Sequence, residues 1–430
     1  MCLTVPGKVV SISRTVGPKA RFSILVDDGS GIKNLKAALV SGLKPGDWVL
    51  YTYGTVLRKV DEADAKEIIW LLQSAGPIDT SRLDRGFARA LGAHRRGRIS
   101  RRDIVTLLNA DDRLESRALY AEANVVRQAR LKDFFCIHGI VEFSNACVRD
   151  CVYCGLRSGS TGVARYRMTP VEIVDAVAEA VTVKGYKLIV LQSGDDFHYT
   201  DDMLVDIIKE IKRRCRVFIF MSVGERSEDC YARMREAGAR GVLLRFETSN
   251  EGLYGRLHPG QSYKRRLGLI KALKKTGYYV ASGFLVGLPG QTIEDVASDL
   301  LMLKKFAVDM PSIGPFVPSG LTPLSGSAPG SEGLVLKAIA VARLLMPGAK
   351  IPVTTALETI DNENGRRLAL SSGANSLMFN LTPERYRGEY RIYPDKYHGG
   401  TEVWERYGLF KEKLSYRMLE KKMFEEFEAS

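Results

Sequence analysis

The sequence predicts an α/β protein, a complete (β/α)8 barrel of the TIM type with a small N-terminal β-barrel domain. Three features point there. From Ile137 to Phe379, apolar runs alternate with amphipathic segments at helical spacing. The first 75 residues instead hold short β-rich runs broken by turn signals. Three thiols cluster directly behind the first apolar run of the alternating region, at the strand end where a barrel of this kind carries its chemistry.

In chain order, the first domain spans residues 1–75. Gly7 to Ile12, Phe22 to Val26 and Trp48 to Tyr53 read as strands, separated by Asp28-Gly29 and by the corner Lys44-Pro45-Gly46-Asp47. Val60 to Gln73 has helical spacing after the acidic start Asp61-Glu62-Ala63-Asp64 and closes this domain. A helical connector follows over 76–135 as a cover for the barrel. Barrel strands are expected near 137–143, 187–192, 216–222, 241–246, 279–286, 310–316, 350–355 and 375–379, within a domain spanning 136–395. Between them lie amphipathic stretches such as Pro170 to Lys184, Asp201 to Arg214, Tyr263 to Lys275, Ile293 to Phe306 and Gly333 to Leu345. Residues 396–430 read as a C-terminal helical tail.

Composition narrows the function class. The formal net charge is +13, and the densest basic stretch, Arg82 to Arg102, contains a single aromatic, Phe87. Nucleic-acid binding normally adds an aromatic platform or a reading motif, so a solvated helical face able to dock an acidic partner is the better expectation. No apolar run approaches the roughly 20 residues that cross a bilayer, and the first residues lack the pattern of a signal peptide. Cys136, Cys215 and Cys230 stand singly, as reduced thiols of a cytoplasmic protein do.

The chemistry concentrates in Cys147-Val148-Arg149-Asp150-Cys151-Val152-Tyr153-Cys154, a CxxxCxxC spacing. Three thiolates hold three irons of a four-iron cubane and leave the fourth open to a small molecule. Structural zinc would want four ligands, commonly as two separated pairs, and the sequence has no second CxxC. Polar residues gather where strands 2 to 5 end: Gln192-Ser193-Gly194-Asp195-Asp196, Ser222-Val223-Gly224-Glu225, Arg245-Phe246-Glu247-Thr248 and Gly283 to Thr292.

The thiol spacing resembles the radical SAM superfamily. That resemblance implies one 4Fe-4S cluster bound by Cys147, Cys151 and Cys154, S-adenosylmethionine on the open iron, and an electron donor such as ferredoxin or flavodoxin. Reductive cleavage then yields a 5′-deoxyadenosyl radical, which needs a dry container. Over residues 84 to 400 the chain further resembles the HydE family of hydrogenase maturases. The markers are His138 to Asn145, Gly155-Leu156-Arg157, Tyr166 to Pro170, Leu191 to Gly194, Val286 to Thr292, Ile313 to Phe316, Pro352 to Ala356 and Tyr390 to Pro394.

The HydE resemblance implies that Tyr153 packs beside the adenine and that Ser193, Glu247 and Arg266 contact S-adenosylmethionine, with Asp195, Glu225 and Arg245 in the same cofactor set. It implies that Thr354, Thr355, Met378, Tyr390 and Tyr393 line an inner chamber for the substrate. The chain departs from the family with Asp195 in place of a Glu, which shifts that contact toward water or Asp196. Phe246 stands where the family has His. No cysteine follows Cys230, so the auxiliary cluster of some members is not expected.

The opening Met1-Cys2-Leu3-Thr4-Val5-Pro6-Gly7-Lys8-Val9, with Gly46 to Leu50 and Lys59-Val60-Asp61, resembles the HypC family of hydrogenase chaperones. There the cysteine after the initiator is an iron ligand, which points to Cys2. The usual His of the following strand is Thr52 here, a poor iron ligand, which favours docking over independent iron carriage. Together the resemblances imply a maturase acting on a small iron carbonyl-cyanide precursor, with a hydrogenase-maturation protein as partner. Two other readings stay open: a radical enzyme on a carbon skeleton, as in the methylornithine synthase and biotin synthase families, and a non-catalytic carrier of a metal complex.

Overall fold

The computed structural model describes residues 5–396 apart from 15–21, 29–30, 39, 53–54, 63–64, 67–79, 111–112, 132–135 and 363. Cys2, most of the helix expected over 60–73, and the tail beyond residue 396 lie outside the described residues. The chain divides into two compact units, Met1–Ile78 and Asp79–Ser430.

The first unit is a six-stranded, mostly antiparallel sheet. Its strands are β1 (Val5–Arg14), β2 (Phe22–Asp27), β3 (Ile32–Leu35), β4 (Ala37–Ala38), β5 (Trp48–Thr52) and β6 (Thr55–Val60), in the order β3-β2-β1-β5-β6-β4. Alternation along β1, β2 and β5 sends Val9, Ile24, Val26 and Val49 inward, where they pack with Leu35, Tyr51 and Val56. At the predicted corner the Asp47 carboxylate accepts from the Lys44 N–H at 2.7 Å.

The second unit opens with helices Arg85–Leu91, Arg101–Leu108 and Arg113–Leu131. Asp84 and Ser100 cap the first two, the latter in a reciprocal capping box with Asp103. These helices are fastened to the barrel's outer helices: Arg101 donates to the Glu294 carbonyl at 3.1 Å and Asn124 to that of Ser371 at 2.8 Å. The expected basic face is present, with Arg96, Arg98 and Arg102 exposed, while Arg95 and His94 both pair with Glu122.

Seven parallel strands follow: β7 (Cys136–Ser144), β8 (Leu188–Ser193), β9 (Phe218–Ser222), β10 (Gly241–Leu243), β11 (Tyr279–Val286), β12 (Met310–Pro315) and β13 (Ser376–Asn380). Their order β12-β11-β10-β9-β8-β7-β13 pairs the last strand with the first. The strand expected near 350–355 is instead an extended segment. Lys350 N–H donates to the Asp309 carbonyl at 3.0 Å, Pro352 bridges Ser376, and Val353 N–H reaches the Ser376 carbonyl at 2.9 Å. Proline brings no N–H to a ladder, so this position is held by a few bonds rather than a full strand. Arg343, fully buried, steadies it by donating to the carbonyls of Pro347, Ala349 and Gly373 and to Asn375 Oδ1.

Inside the barrel, Cys136, Ile140, Leu188, Val190, Phe218, Phe220, Ala281 and Met310 form an apolar floor. Ser or Thr caps most of the following helices, as Thr169 does for Pro170–Thr182 with Glu172 completing the box. Among the described residues no helix is long and apolar enough to cross a membrane.

Candidate active site

The cysteine loop leaves β7 after Ser144 and is clamped along its length. Val148 N–H donates to the Asp195 carbonyl at 3.0 Å and Val152 N–H to that of Leu257 at 3.0 Å. Arg165 reaches across the loop to the carbonyls of Asn145, Leu156 and Arg157. Two glycines allow close approach: a Cβ on Gly194 would sit 2.3 Å from the Ala146 carbonyl oxygen, and one on Gly155 would sit 2.2 Å from that of Arg391.

The three thiols of the loop are free and half-buried. Burial pushes the Cys147 thiol above its ordinary range, Cys151 up to about 12, and Cys154 further still. A buried thiol of this kind becomes a thiolate when a metal cation replaces its proton. Among the described residues no three His, Cys, Asp or Glu side chains converge as ligands of one ion. Each thiolate of a cubane binds a different iron, so three such ligands stand apart, and the donor set suits an iron-sulfur cluster.

Beside the triad, Tyr153 is set by a neutral histidine. His258 Nδ1 lies 3.0 Å from the Tyr254 carbonyl, which only accepts, so Nδ1 carries the proton and Nε2 accepts from the Tyr153 hydroxyl at 3.0 Å. Burial holds His258 down to about 3, which keeps this tautomer across the working pH range.

A wall of charge faces the triad. Asp195 accepts from Arg149 Nε at 2.7 Å. Glu225, only 3% exposed at its side chain, accepts from Arg266 Nε at 2.6 Å. Arg266 also donates to the Arg245 carbonyl at 2.6 Å and to Gln261 at 3.2 Å. Arg245 Nε and Nη2 and Glu247 Oε2 are buried without a hydrogen-bond partner. Arg245 Nε and Glu247 Oε2 approach to 3.1 Å, but not in a hydrogen-bonding alignment. Glu247 itself sits at φ 65°, the left-handed region that a non-glycine residue adopts at a cost of about 1–3 kcal/mol. The Arg245–Glu247 ion pair leaves hydrogen-bonding capacity unspent on both partners, which suits a ligand that brings both a carboxylate and an ammonium group.

The residues expected to line the inner chamber border the same cavity. Thr355 Oγ1 and the Tyr393 hydroxyl are 2.9 Å apart, and Tyr390 is almost fully buried. Met378 packs on the apolar floor and also faces the cavity, so its packing and site roles coincide. The whole constellation borders one cavity of about 320 Å³, lined by Cys147, Cys151, Cys154, Tyr153, Ser193, Asp195, Arg245, Glu247, Arg266, Thr354, Thr355, Met378, Tyr390 and Tyr393. Of the expected residues, Glu225 stands behind Arg266 rather than on the wall, and Cys2 lies outside the described residues.

Asp196 is turned away, tied to Ser144 and Arg167, so Asp195 is the carboxylate of the pair that borders the cavity. Phe246 is fully buried and stacks on Phe284 at 6.2 Å, which makes that position part of the core. Sequence reasoning did not single out Arg149, Gln261, Asn380, Lys396 or Glu142. Only Glu142 left a signal, as an acidic residue within an otherwise apolar strand run.

Residues 141–303 match the Radical SAM superfamily and residues 1–72 the HupF/HypC family. The chain is 44% identical over 301 residues to the FeFe hydrogenase maturase subunit HydE of Thermotoga maritima, covering 70% of this chain and 86% of that protein. It is 30% identical to the 3-methylornithine synthase of Methanosarcina barkeri, over 66% of this chain and 79% of that one. The crystal structure of methylornithine synthase superposes with a TM-score of 0.67 at 27% identity, covering 75% of this chain and 96% of that structure.

Proposed function

The chain is a radical SAM enzyme of the HydE family with a HupF/HypC-family domain at its N-terminus, and we propose that it acts on a small iron carbonyl-cyanide precursor of an organometallic hydrogenase-type cofactor. The observation that carries this reading is one cavity bordered both by the three thiols and by Thr, Tyr and Met side chains. The family implies a 4Fe-4S cluster and S-adenosylmethionine. When bound, they supply a 5′-deoxyadenosyl radical.

The residues divide the work by position. Cys147, Cys151 and Cys154 would hold one cluster, and Tyr153, fixed by His258, would flank the adenine. Arg266 would grip the carboxylate of S-adenosylmethionine with the N–H groups left after its three protein contacts, and Arg245, ion-paired with Glu247, keeps unspent N–H groups beside it. Glu247 would accept from the ammonium or ribose hydroxyls, with Ser193 and Asp195 completing that wall and Glu225 holding Arg266 in place from behind. Thr354, Thr355, Met378, Tyr390 and Tyr393 would orient the substrate, their soft and aromatic surface excluding water from the reacting centre. Cys2 would help receive the product or dock a hydrogenase-maturation partner. An electron donor such as ferredoxin or flavodoxin would reduce the cluster. The buried single thiols Cys136, Cys215 and Cys230 support a reducing compartment such as the cytoplasm.

The test is anaerobic reconstitution followed by incubation with a synthetic dicarbonyl-cyanide iron-cysteine complex, S-adenosylmethionine and reductant. Consumption of the complex with 5′-deoxyadenosine or an adenosylated product by mass spectrometry is expected. S-adenosylmethionine cleavage that ignores the complex would defeat the assignment. Cys2→Ala should leave consumption unchanged and stop transfer of iron to a downstream protein; full transfer by that variant would exclude Cys2 from delivery.

Likeness to methylornithine synthases supports a second reading, rearrangement of an amino-acid carbon skeleton. Formation of 3-methylornithine from an amino-acid precursor in the same assay would favour it.

Arg266→Ala is expected to weaken S-adenosylmethionine binding by roughly ten- to a hundredfold, since a charge-assisted contact contributes about 1.5–3 kcal/mol. Calorimetry on cluster-loaded protein reads the effect. Unchanged affinity would transfer the carboxylate to Arg245.

A further inference from the structure

Each thiol of the triad meets a hydrogen-bond donor, and the donors differ in kind. Cys147 Sγ faces the backbone N–H of Arg149 at 3.4 Å, and Cys154 meets the backbone of Leu156. Cys151 Sγ instead faces a side chain, Gln261 Nε2, at 3.2 Å.

The chemistry of its partners fixes which way this amide points. A guanidinium only donates, so the oxygen of Gln261 must face Arg266 Nη2, 3.2 Å away. The NH2 group is thereby aimed at sulfur. Arg266 is in turn anchored by Glu225 and by the Arg245 carbonyl, each at 2.6 Å, and is buried. The amide is therefore the last link of a rigid chain of donors and acceptors that ends on Cys151. A backbone donor is common to any sequence in that loop, whereas this donor exists only because position 261 is Gln.

Resting on the cluster reading above, we propose that Gln261 is a positioning residue that raises the reduction potential of the cluster through its hydrogen bond to Cys151. A reduced cluster carries one more negative charge than the oxidised one. A donor aimed at a ligating sulfur stabilises the reduced state more, and so makes reduction easier.

The test uses full-length protein reconstituted anaerobically, with Gln261→Met and Gln261→Glu. Met keeps the length without a donor. Glu still accepts from Arg266 but turns a negative oxygen toward the sulfur. Potentiometric titration without S-adenosylmethionine, followed by paramagnetic resonance of the reduced cluster, should give wild-type iron content in both variants. The midpoint should move to more negative potential in the Met variant and further in the Glu variant. An unchanged midpoint in a fully loaded Met variant overturns the proposal. Should the Met variant lose its cluster, the Glu variant decides: a lowered midpoint supports tuning, while an unchanged midpoint or a lost cluster overturns it. Wild-type protein that forms no four-iron cluster would overturn the cluster reading itself, and is seen before either variant is made.

Discussion

Cys151→Ala, reconstituted under the same anaerobic conditions as the wild type, is expected to lose the four-iron cluster and all 5′-deoxyadenosine formation. The expectation follows from the number of thiols the cavity offers. Only Cys147, Cys151 and Cys154 among the described cysteines border it; Cys136, Cys215 and Cys230 are buried elsewhere and cannot substitute. Cys151 also sits between the other two in the loop, and its removal leaves two ligands for a cluster that needs three from protein. Iron and sulfide analysis with paramagnetic resonance checks the result. A variant that retains a wild-type cluster signal would show that the triad is not the ligand set. Because the loop is held by Arg165, Asn145 and Asp150 rather than by Cys151, circular dichroism of the variant should match the wild type.

The second large effect is on stability. Lys396 and Glu142 form an ion pair with side chains only 5% and 2% exposed, and Asn380 donates to the other Glu142 oxygen at 2.9 Å. Lys396→Met strands the carboxylate inside the barrel. Breaking a buried pair from one side costs about 3–5 kcal/mol, whereas removing both charges is close to neutral. Lys396→Met should therefore lower the denaturant midpoint of the barrel strongly, and Glu142→Gln combined with Lys396→Met should recover most of the loss. Equal midpoints for the single variant and the wild type would mean that Glu142 finds solvent or another cation. The pair borders the cavity, with Lys396 Nζ 4.7 Å from the Tyr390 ring centre, so the double variant also isolates any effect on turnover from the effect on folding.

How much of this was legible beforehand differs by residue, for physical reasons. Apolar runs of five to eight residues mark barrel strands because both faces of a parallel strand are covered, as β7 shows with nine buried residues in succession. The segment around Pro352 carries the same apolar character, yet proline removes the N–H that a ladder needs, and pairing shrinks to a bridge. The departures at Asp195 and Phe246 were visible in the sequence, but the contact expected to shift toward water or Asp196 does not reach Asp196, which is tied to Ser144 and Arg167 away from the cavity. Whether a strand-end residue faces the cavity or the core depends on the local turn, and Phe246 points inward beside Glu247 in its left-handed conformation.

The sequence alone determined the barrel with its β-rich leading domain, the cysteine triad, and the family to which both parts belong. These are local or periodic properties: spacing within one loop, alternation along a strand, and long runs of matching residues. Tertiary structure alone decided which side chains share a wall. Gln261 and Cys151 stand 110 positions apart, Glu142 and Lys396 stand 254 apart, and Arg266 is engaged from three sides by residues of different loops. No periodicity encodes such contacts, because they arise only when closing the barrel brings the ends of all its strands to one mouth.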